Sequence, residues 1–213
     1  MFVRDIMTTN VVTIPSSTSI ADAKRIMQAH RFRRLPVVDK GKLVGIVTEH
    51  RLESVSPSKA TSLTVWELSY VMDKTPVKEI MERNVVTVSP DLTVEEAVAT
   101  GQNNKVGALV VVEDERVVGI ATTNDFFYKL ANPILGLGEA GSRVKVAGGG
   151  ETKVLEEIIS TVSKLGLNIV NLHIIDLPER AKRDVIVHVD SEDVAQLITE
   201  LKGKGYEVSL RQR

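Results

Sequence analysis

Apolar positions along this chain switch between two spacings in a regular order. Short β-branched runs at residues 11–14 and 85–88 predict strands. Helical spacing follows each: Ile20, Ala23, Met27 and His30 fall close to one face. Ser19 with Asp22, and Thr93 with Glu96, have the three-residue separation of a helix-capping pair. Leu35-Pro36-Val37-Val38 then reads as a strand, Gly41 as a turn, and residues 43–47 as the hairpin partner. Thr48 and Thr122 each open a further helix. The unit is therefore β-α-β-β-α, and it occurs twice.

The two occurrences keep one register. Val3-Arg4-Asp5-Ile6-Met7 returns as Val77-Lys78-Glu79-Ile80-Met81 at an offset of 74. Asn10-Val11-Val12-Thr13 then matches Asn84-Val85-Val86-Thr87, and Val44-Gly45-Ile46 matches Val118-Gly119-Ile120, without a gap. An internal repeat of this length buries too little surface alone, so the two copies are expected to pack as a pseudo-twofold pair with equivalent clefts. Residues 1–60 form the first copy and 77–132 the second. Residues 61–76 connect them through a helix opening at Thr64 with Glu67 three residues on, and Trp66 is expected to pin that connector to the pair.

After Leu130 the texture changes. Residues 133–141 carry Pro133 and several glycines and read as a linker. Residues 142–213 run strand (143–147), helix (153–165), strand (168–176), strand (183–190), helix (191–204), strand (207–210), with Gly166 and Gly205 ending the helices. That is the split βαβ, ferredoxin-like order: four antiparallel strands with two helices on one face. Val170, Leu172 and Ile174, with Val185, Val187 and Val189, should face the helices. Asn171, His173, Ile186 and His188 then form a half-polar outer face, of a kind often covered by a second subunit or by the repeat pair.

Composition narrows the classes. With 43% hydrophobic and 26% charged residues the chain has a core and is not disordered. No apolar run reaches the ~20 residues of a membrane span, and the first residues lack a signal-peptide pattern, so a soluble cytoplasmic protein is expected. Cysteine is absent, which excludes thiolate zinc sites and Cys nucleophiles. A net charge of −1 removes the electrostatic term of non-specific nucleic-acid binding. The four histidines lack metal-ligand spacing, and no nucleophile–base pair emerges, so no metal site and no enzyme are expected.

The repeat resembles the cystathionine-β-synthase (CBS) domain, which occurs in tandem. The resemblance rests on Asp5-Ile6-Met7, Thr13-Ile14-Pro15, Arg34-Leu35-Pro36-Val37-Val38-Asp39 and Gly45-Ile46-Val47-Thr48, then on Glu79-Ile80-Met81, Thr87-Val88-Ser89-Pro90 and Gly119-Ile120-Ala121-Thr122-Thr123-Asn124-Asp125. The C-terminal part resembles an ACT domain through its element order and Leu165-Gly166-Leu167-Asn168-Ile169. A CBS pair followed by an ACT domain is similar to the acetoin-utilisation-type regulatory proteins. The resemblance implies regulation by an adenine nucleotide rather than catalysis, no required cofactor, a homodimer and a target protein.

The chemistry concentrates at Thr122-Thr123-Asn124-Asp125. Free N–H groups at a strand-to-helix junction suit phosphate, and an ionised Asp125 can accept both hydroxyl protons of a ribose. The same Thr-x-x-Asp is also a helix cap that needs no ligand. Thr87, Val88, Gly107 and Ala108 are expected beside it, against the adenine. The first copy supplies a weaker site, Thr13, Arg34, Pro36, Thr48 and Arg51. There Arg51 replaces the carboxylate and has no acceptor to offer. It could instead meet phosphates from the other cleft, or be solvated. His30, Arg31, Arg33 and Arg34 form a basic cluster suited to di- or triphosphate charge or to plain solvation. In the ACT-like part, Gly148, Gly149, Asn168 and Ile169 are the ligand candidates, with a flexible glycine turn as the other reading.

Overall fold

A computed structural model describes residues 1–54, 64–176, 178 and 182–211. The chain is a mixed α/β protein that divides into two compact units, Met1–Lys129 and Leu130–Arg213. The ends of the expected first repeat and start of the connector (residues 55–63) lie outside the described residues.

In the first unit, α1 (Val3–Ile6) is followed by α2 (Ile20–His30), the hairpin β1 (Arg34–Asp39) and β2 (Lys42–Thr48), and α3 (Glu49–Ser54). The connector helix is α4 (Val65–Lys74). The second copy runs through a 3₁₀ turn, Val77–Glu79, then β3 (Thr87–Val88), α5 (Val94–Asn103), β4 (Ala108–Glu113), β5 (Arg116–Thr122) and α6 (Thr123–Asp125), which continues as a π-helical stretch, Phe126–Ala131. The caps act as the spacing predicts. Ser19 accepts from Asp22 N, Thr93 from Glu96 N, and Thr64 and Glu67 cap each other's backbone. His30 departs from the expected buried face and is exposed, stacked on Phe32.

The copies do more than pack side by side; each completes the other. Val77, Ile80 and Met81 of the second copy sit in the core of the first, with Ile14, Ile20, Met27, Leu35, Val37 and Val47. Val3 of the first copy sits in the core of the second, with Val88, Ala97, Leu109 and Val111. Single-residue bridges repeat the exchange symmetrically: Thr8 pairs with Ile120 and Glu82 with Ile46, while Phe2 pairs with Thr93 and Pro76 with Ser19. Met7 lies over Gly119 and Met81 over Gly45, so close that a β-carbon at either glycine would overlap the methionine sulfur.

Two expectations need correcting here. The strand at residues 11–14 reduces to one parallel rung, Ile14 against Val37, whereas β3 pairs with β4 over two residues. In the second copy Val110 N donates to Val86 O at 3.2 Å; the corresponding residue in the first copy is Pro36, which has no N–H to give Val12. Trp66 does not pin the connector. It is 86% exposed, with Tyr70 and Val71 also outward, because α4 meets the first copy through Met72 and the Asp73–Arg25 ion pair instead.

The second unit opens with α7 (Asn132–Leu135), then β6 (Ser142–Val146), α8 (Thr152–Lys164), β7 (Ile169–Ile175), β8 (Asp184–Val189), α9 (Ala195–Gly203) and β9 (Val208–Arg211). All ladders are antiparallel, in the order β7-β8-β6-β9. Val144, Val146, Val185, Val187 and Val189 meet Ile158, Val162, Leu197 and Leu201 of the helices. On β7 a register shift between Ile169 and Asn171 moves the pattern: Ile169 and Leu172 reach the core, while Val170 and Ile174 stay 37% and 42% exposed on this edge strand.

Residues 133–141 are not an open linker. They lie over the outer face of the unit's own sheet. Arg143 donates to Leu135 O and Gly136 O, and the fully buried His188 places Nε2 2.9 Å from Ala140 O. Gly136 has φ +61 and sits against Asn171 and His188, where a side chain has neither the conformation nor the space. The cover expected from a second subunit or from the repeat pair is thus supplied by this stretch.

Candidate functional site

A cavity of about 500 Å³ in the first unit is lined by Thr8, Asn10, Val11 and Val12, by Arg31–Arg34 and Pro36, and by Ile120 and Thr122–Asp125. Its size suits a nucleotide. The first group comes from one copy and the last from the other, held in register by Thr8 N to Ile120 O at 2.9 Å and Ile120 N to Thr8 O at 3.0 Å. Arg31 closes α2 in the left-handed conformation, φ 56, and turns the following arginines toward the cavity.

Asp125 lines this cavity and is only 8% exposed. Its Oδ2 accepts from Thr122 N at 2.9 Å and Thr122 Oγ1 at 2.7 Å. Its Oδ1 accepts from Thr8 Oγ1 at 3.2 Å and is 2.7 Å from Lys129 Nζ. Burial pushes this carboxyl's pKa up, but the hydrogen bonds from Lys129 and Thr122 and the Lys129 charge outweigh it and hold it below the ordinary aspartate value. The cap and the site are therefore the same carboxylate. Two of the junction's backbone N–H groups are not open to phosphate: Thr122 N is taken by Asp125 and Thr123 N by Gly107 O.

Positive charge comes from the arginines. Arg34 is half-buried, and burial, then the neighbouring Arg33 charge, lower its pKa. Arg33 has an outlying partner in Glu49 at 3.8 Å. Three guanidinium-bearing residues thus share a cavity in which Asp125, the only lining carboxylate among the described residues, is already paired with Lys129.

The structure redistributes the sequence-derived candidates. Thr122, Asn124 and Asp125 share the cavity with Arg34 and Pro36, which the sequence places in the first copy's site. Gly107 and Ala108 line a different cavity, about 440 Å³, between α5 and Phe126. That space exists because Gly101 and Val106 stand where the first copy has Met27 and Phe32. Thr87 and Val88 line neither, and Thr13 is exposed outside both. Thr48 and Arg51 line a third cavity, about 610 Å³, with Ile46, His50, Met81, Glu82, Arg83 and Asn84, the pseudo-symmetric mate of the first. Arg51 does not line the other cleft; it is exposed, and its Nε donates to Ile80 O at 3.1 Å. Sequence reasoning missed Thr8, Asn10–Val12 and Lys129. The Asp125/Lys129 spacing of four was a readable signal; the contribution of Thr8 was not, since nothing local ties it to Ile120.

In the second unit the four candidates do not converge. Gly148 N donates to Asp184 Oδ1 and Gly150 N to Arg183 O, at the start of β8. Asn168 donates to both carboxylate oxygens of Asp190, and Ile169 pairs with Val189, at the other end of that strand. Gly148 and Gly149 thus belong to one end of the central strands, Asn168 and Ile169 to the other. The glycine turn is also not loose: Gly149 packs on Val146 and Gly150 on Arg183, both glycines buried. Among the described residues no group of three or more His, Asp or Glu is placed to hold a metal ion, and no helix is long and apolar enough to cross a membrane.

The exchanged repeats and their paired clefts define a class. The CBS-domain sequence profile matches residues 3–56 and 77–132, and the chain belongs to the CBS-domain family. Over 127 residues it is 35% identical to the L-aspartate semialdehyde sulfurtransferase of Methanocaldococcus jannaschii, covering 58% of this chain and 22% of that protein. The chain spans about a quarter of the length of such longer curated relatives. Among solved structures, the CBS domain pair of protein MJ0100, in complex with 5′-methylthioadenosine and S-adenosyl-L-methionine, matches with a TM-score of 0.51 at 30% identity, over 62% of this chain and 97% of that one. AcuB from Vibrio cholerae matches with a TM-score of 0.53 at 33% identity, over 64% of this chain and 94% of that one.

Proposed function

We propose that this protein is a non-enzymatic regulatory sensor that binds an adenosine-containing nucleotide of the AMP, ADP or ATP kind in the cavity lined by Asp125. The observation that carries the reading is the joint presence there of a buried, ionised carboxylate and of Arg31, Arg33 and Arg34. A carboxylate accepts from the hydroxyls of a sugar; clustered guanidiniums accept phosphate charge. The adenosine compounds held by the MJ0100 pair support the nucleoside half of this assignment. The crowded arginines favour a phosphorylated ligand over a sulfonium. The nucleotide acts as regulatory ligand, with no required cofactor. The C-terminal unit is read as an ACT-like domain for dimerisation or small-ligand sensing, and the protein as a cytoplasmic homodimer acting on a target protein. To regulate, the ligand must prefer one arrangement of the assembly.

Isothermal titration with AMP, ADP and ATP tests the site. Micromolar affinity corresponds to about −8 kcal/mol, within reach of several charge-assisted bonds and a buried base. Asp125→Ala is expected to abolish binding and Arg51→Ala to leave it intact; equal loss from both contradicts the assignment.

A second reading, a dimeric scaffold with degenerate ligand sites, is favoured by Arg51 in the third cavity and by the separation of Gly148 and Gly149 from Asn168 and Ile169. Thermal shift with nucleotides, S-adenosylmethionine, NAD and amino acids separates the two. A ligand of the native state must raise the melting temperature, and no shift with any of them favours the scaffold.

A further inference from the structure

We infer that Lys129 is the positioning residue for the sugar-binding carboxylate, and that the hydroxyls of Thr8 and Thr122 are the two donors that give way to a ribose. This rests on the nucleotide reading above. An ionised carboxylate has about four acceptor positions, and Asp125 has all four filled: Lys129 and Thr8 on Oδ1, Thr122 N and Thr122 Oγ1 on Oδ2. A ribose diol bringing two O–H donors therefore needs two of them vacated. The four are not equivalent. Thr8 and Thr122 line the cavity, and Lys129 does not. The Thr122 N–H is fixed by the backbone. The Lys129 ammonium is held in place by its other contacts, to Ile6 O at 2.9 Å and Thr8 Oγ1 at 3.4 Å. The cavity-side donors are both hydroxyls, which turn about one bond and can point their hydrogen elsewhere. Rotation of those two frees one position on each oxygen, while Lys129 and Thr122 N keep the carboxylate ionised and aimed.

The other copy supports the division. Ile80 is the counterpart of Ile6, and its carbonyl also receives a cation, the Arg51 guanidinium at 3.1 Å. The first copy has Arg51 and Val55 where the second has Asp125 and Lys129. A cation at this carbonyl is common to both halves; its coupling to a carboxylate is found only where Asp and Lys occur together.

The test is titration calorimetry of ATP and of 2′,3′-dideoxy-ATP into the full chain. Lys129→Met is expected to weaken ATP about tenfold, the scale of one charge-assisted bond, with dideoxy-ATP little changed, so that the preference for the ribose form narrows. Lys129→Arg should restore most of it, and Thr8→Val should leave ATP within about twofold of the parent. Lys129→Met binding ATP as tightly as the parent or more tightly, or losing both nucleotides in equal proportion, overturns the assignment. A large loss with Thr8→Val does so as well. If the unaltered protein binds neither AMP, ADP nor ATP, the nucleotide reading itself has failed, a result distinct from either of these.

Discussion

Replacing Gly45 or Gly119 by alanine probes the interlock that builds both pseudo-symmetric cavities. A β-carbon at Gly119 would overlap Met7 alone, through Sδ and Cγ. At Gly45 it would meet Met81 Sδ at 2.6 Å and also Glu82 O at 2.9 Å. A methionine side chain can swing aside; a backbone carbonyl held by Ile46 N cannot without losing that bond, 2.9 Å long. Overpacking costs about 1–3 kcal/mol, offset by about 0.4–1 kcal/mol from the stiffer unfolded chain. Gly119→Ala should therefore cost about 1 kcal/mol and Gly45→Ala about 2–2.5 kcal/mol. For a chain of this size that lowers the melting temperature by roughly 2–4 °C and 4–10 °C respectively. Scanning calorimetry is the suitable assay, since two units need not melt together. Adding Met7→Ala should remove most of the Gly119→Ala penalty, whereas Met81→Ala should rescue Gly45→Ala only in part. A reversed order of the two alanine variants, or full rescue by Met81→Ala, refutes the interlock.

Arg34→Met should weaken ATP more than adenosine and flatten the salt dependence of ATP affinity, measured by calorimetry across ionic strengths. Asp125 has a folded pKa below its ordinary value of 3.8, so its contribution to stability is present above that value and is lost as pH falls toward and through the folded pKa. Asp125→Asn should remove this component from acid unfolding curves of the unliganded protein; an unchanged acid limb would show that the Lys129 and Thr122 contacts do not hold in solution. The buried Asn171 amide has no partner among the described residues, so Asn171→Leu should leave the second unit's melting temperature unchanged or higher. A fall of several degrees would reveal a partner, such as an ordered water.

The elements were legible because they are local. Ser19, Thr64 and Thr93 announce their helices, and the offset of 74 announces the repeat. The βαββαβ order of the second unit follows from periodicity and Gly166 and Gly205. Which halves share a cavity was not legible. Equivalence of Arg34 and Ala108 says that they occupy like positions, not that Arg34 shares a cavity with Asp125 while Ala108 lines another. Trp66 misled because a large apolar side chain is read as buried, whereas α4 docks by its Met72 face. On β7 a single bulge reversed the expected alternation at Ile169 and Val170. Pro36 removed a strand through the absence of one hydrogen, which no propensity scale registers at that distance.

The reciprocal seating of Val3 and of Val77, Ile80 and Met81 means that half of the first unit owns no binding site. During synthesis the Asp125 cleft does not exist until the chain has grown beyond Asp125 and the opening turn of the first copy has found the second copy's sheet. Whatever settles in the Asp125 cleft therefore touches both halves, and its binding free energy acts on their union as a clamp rather than on either half alone.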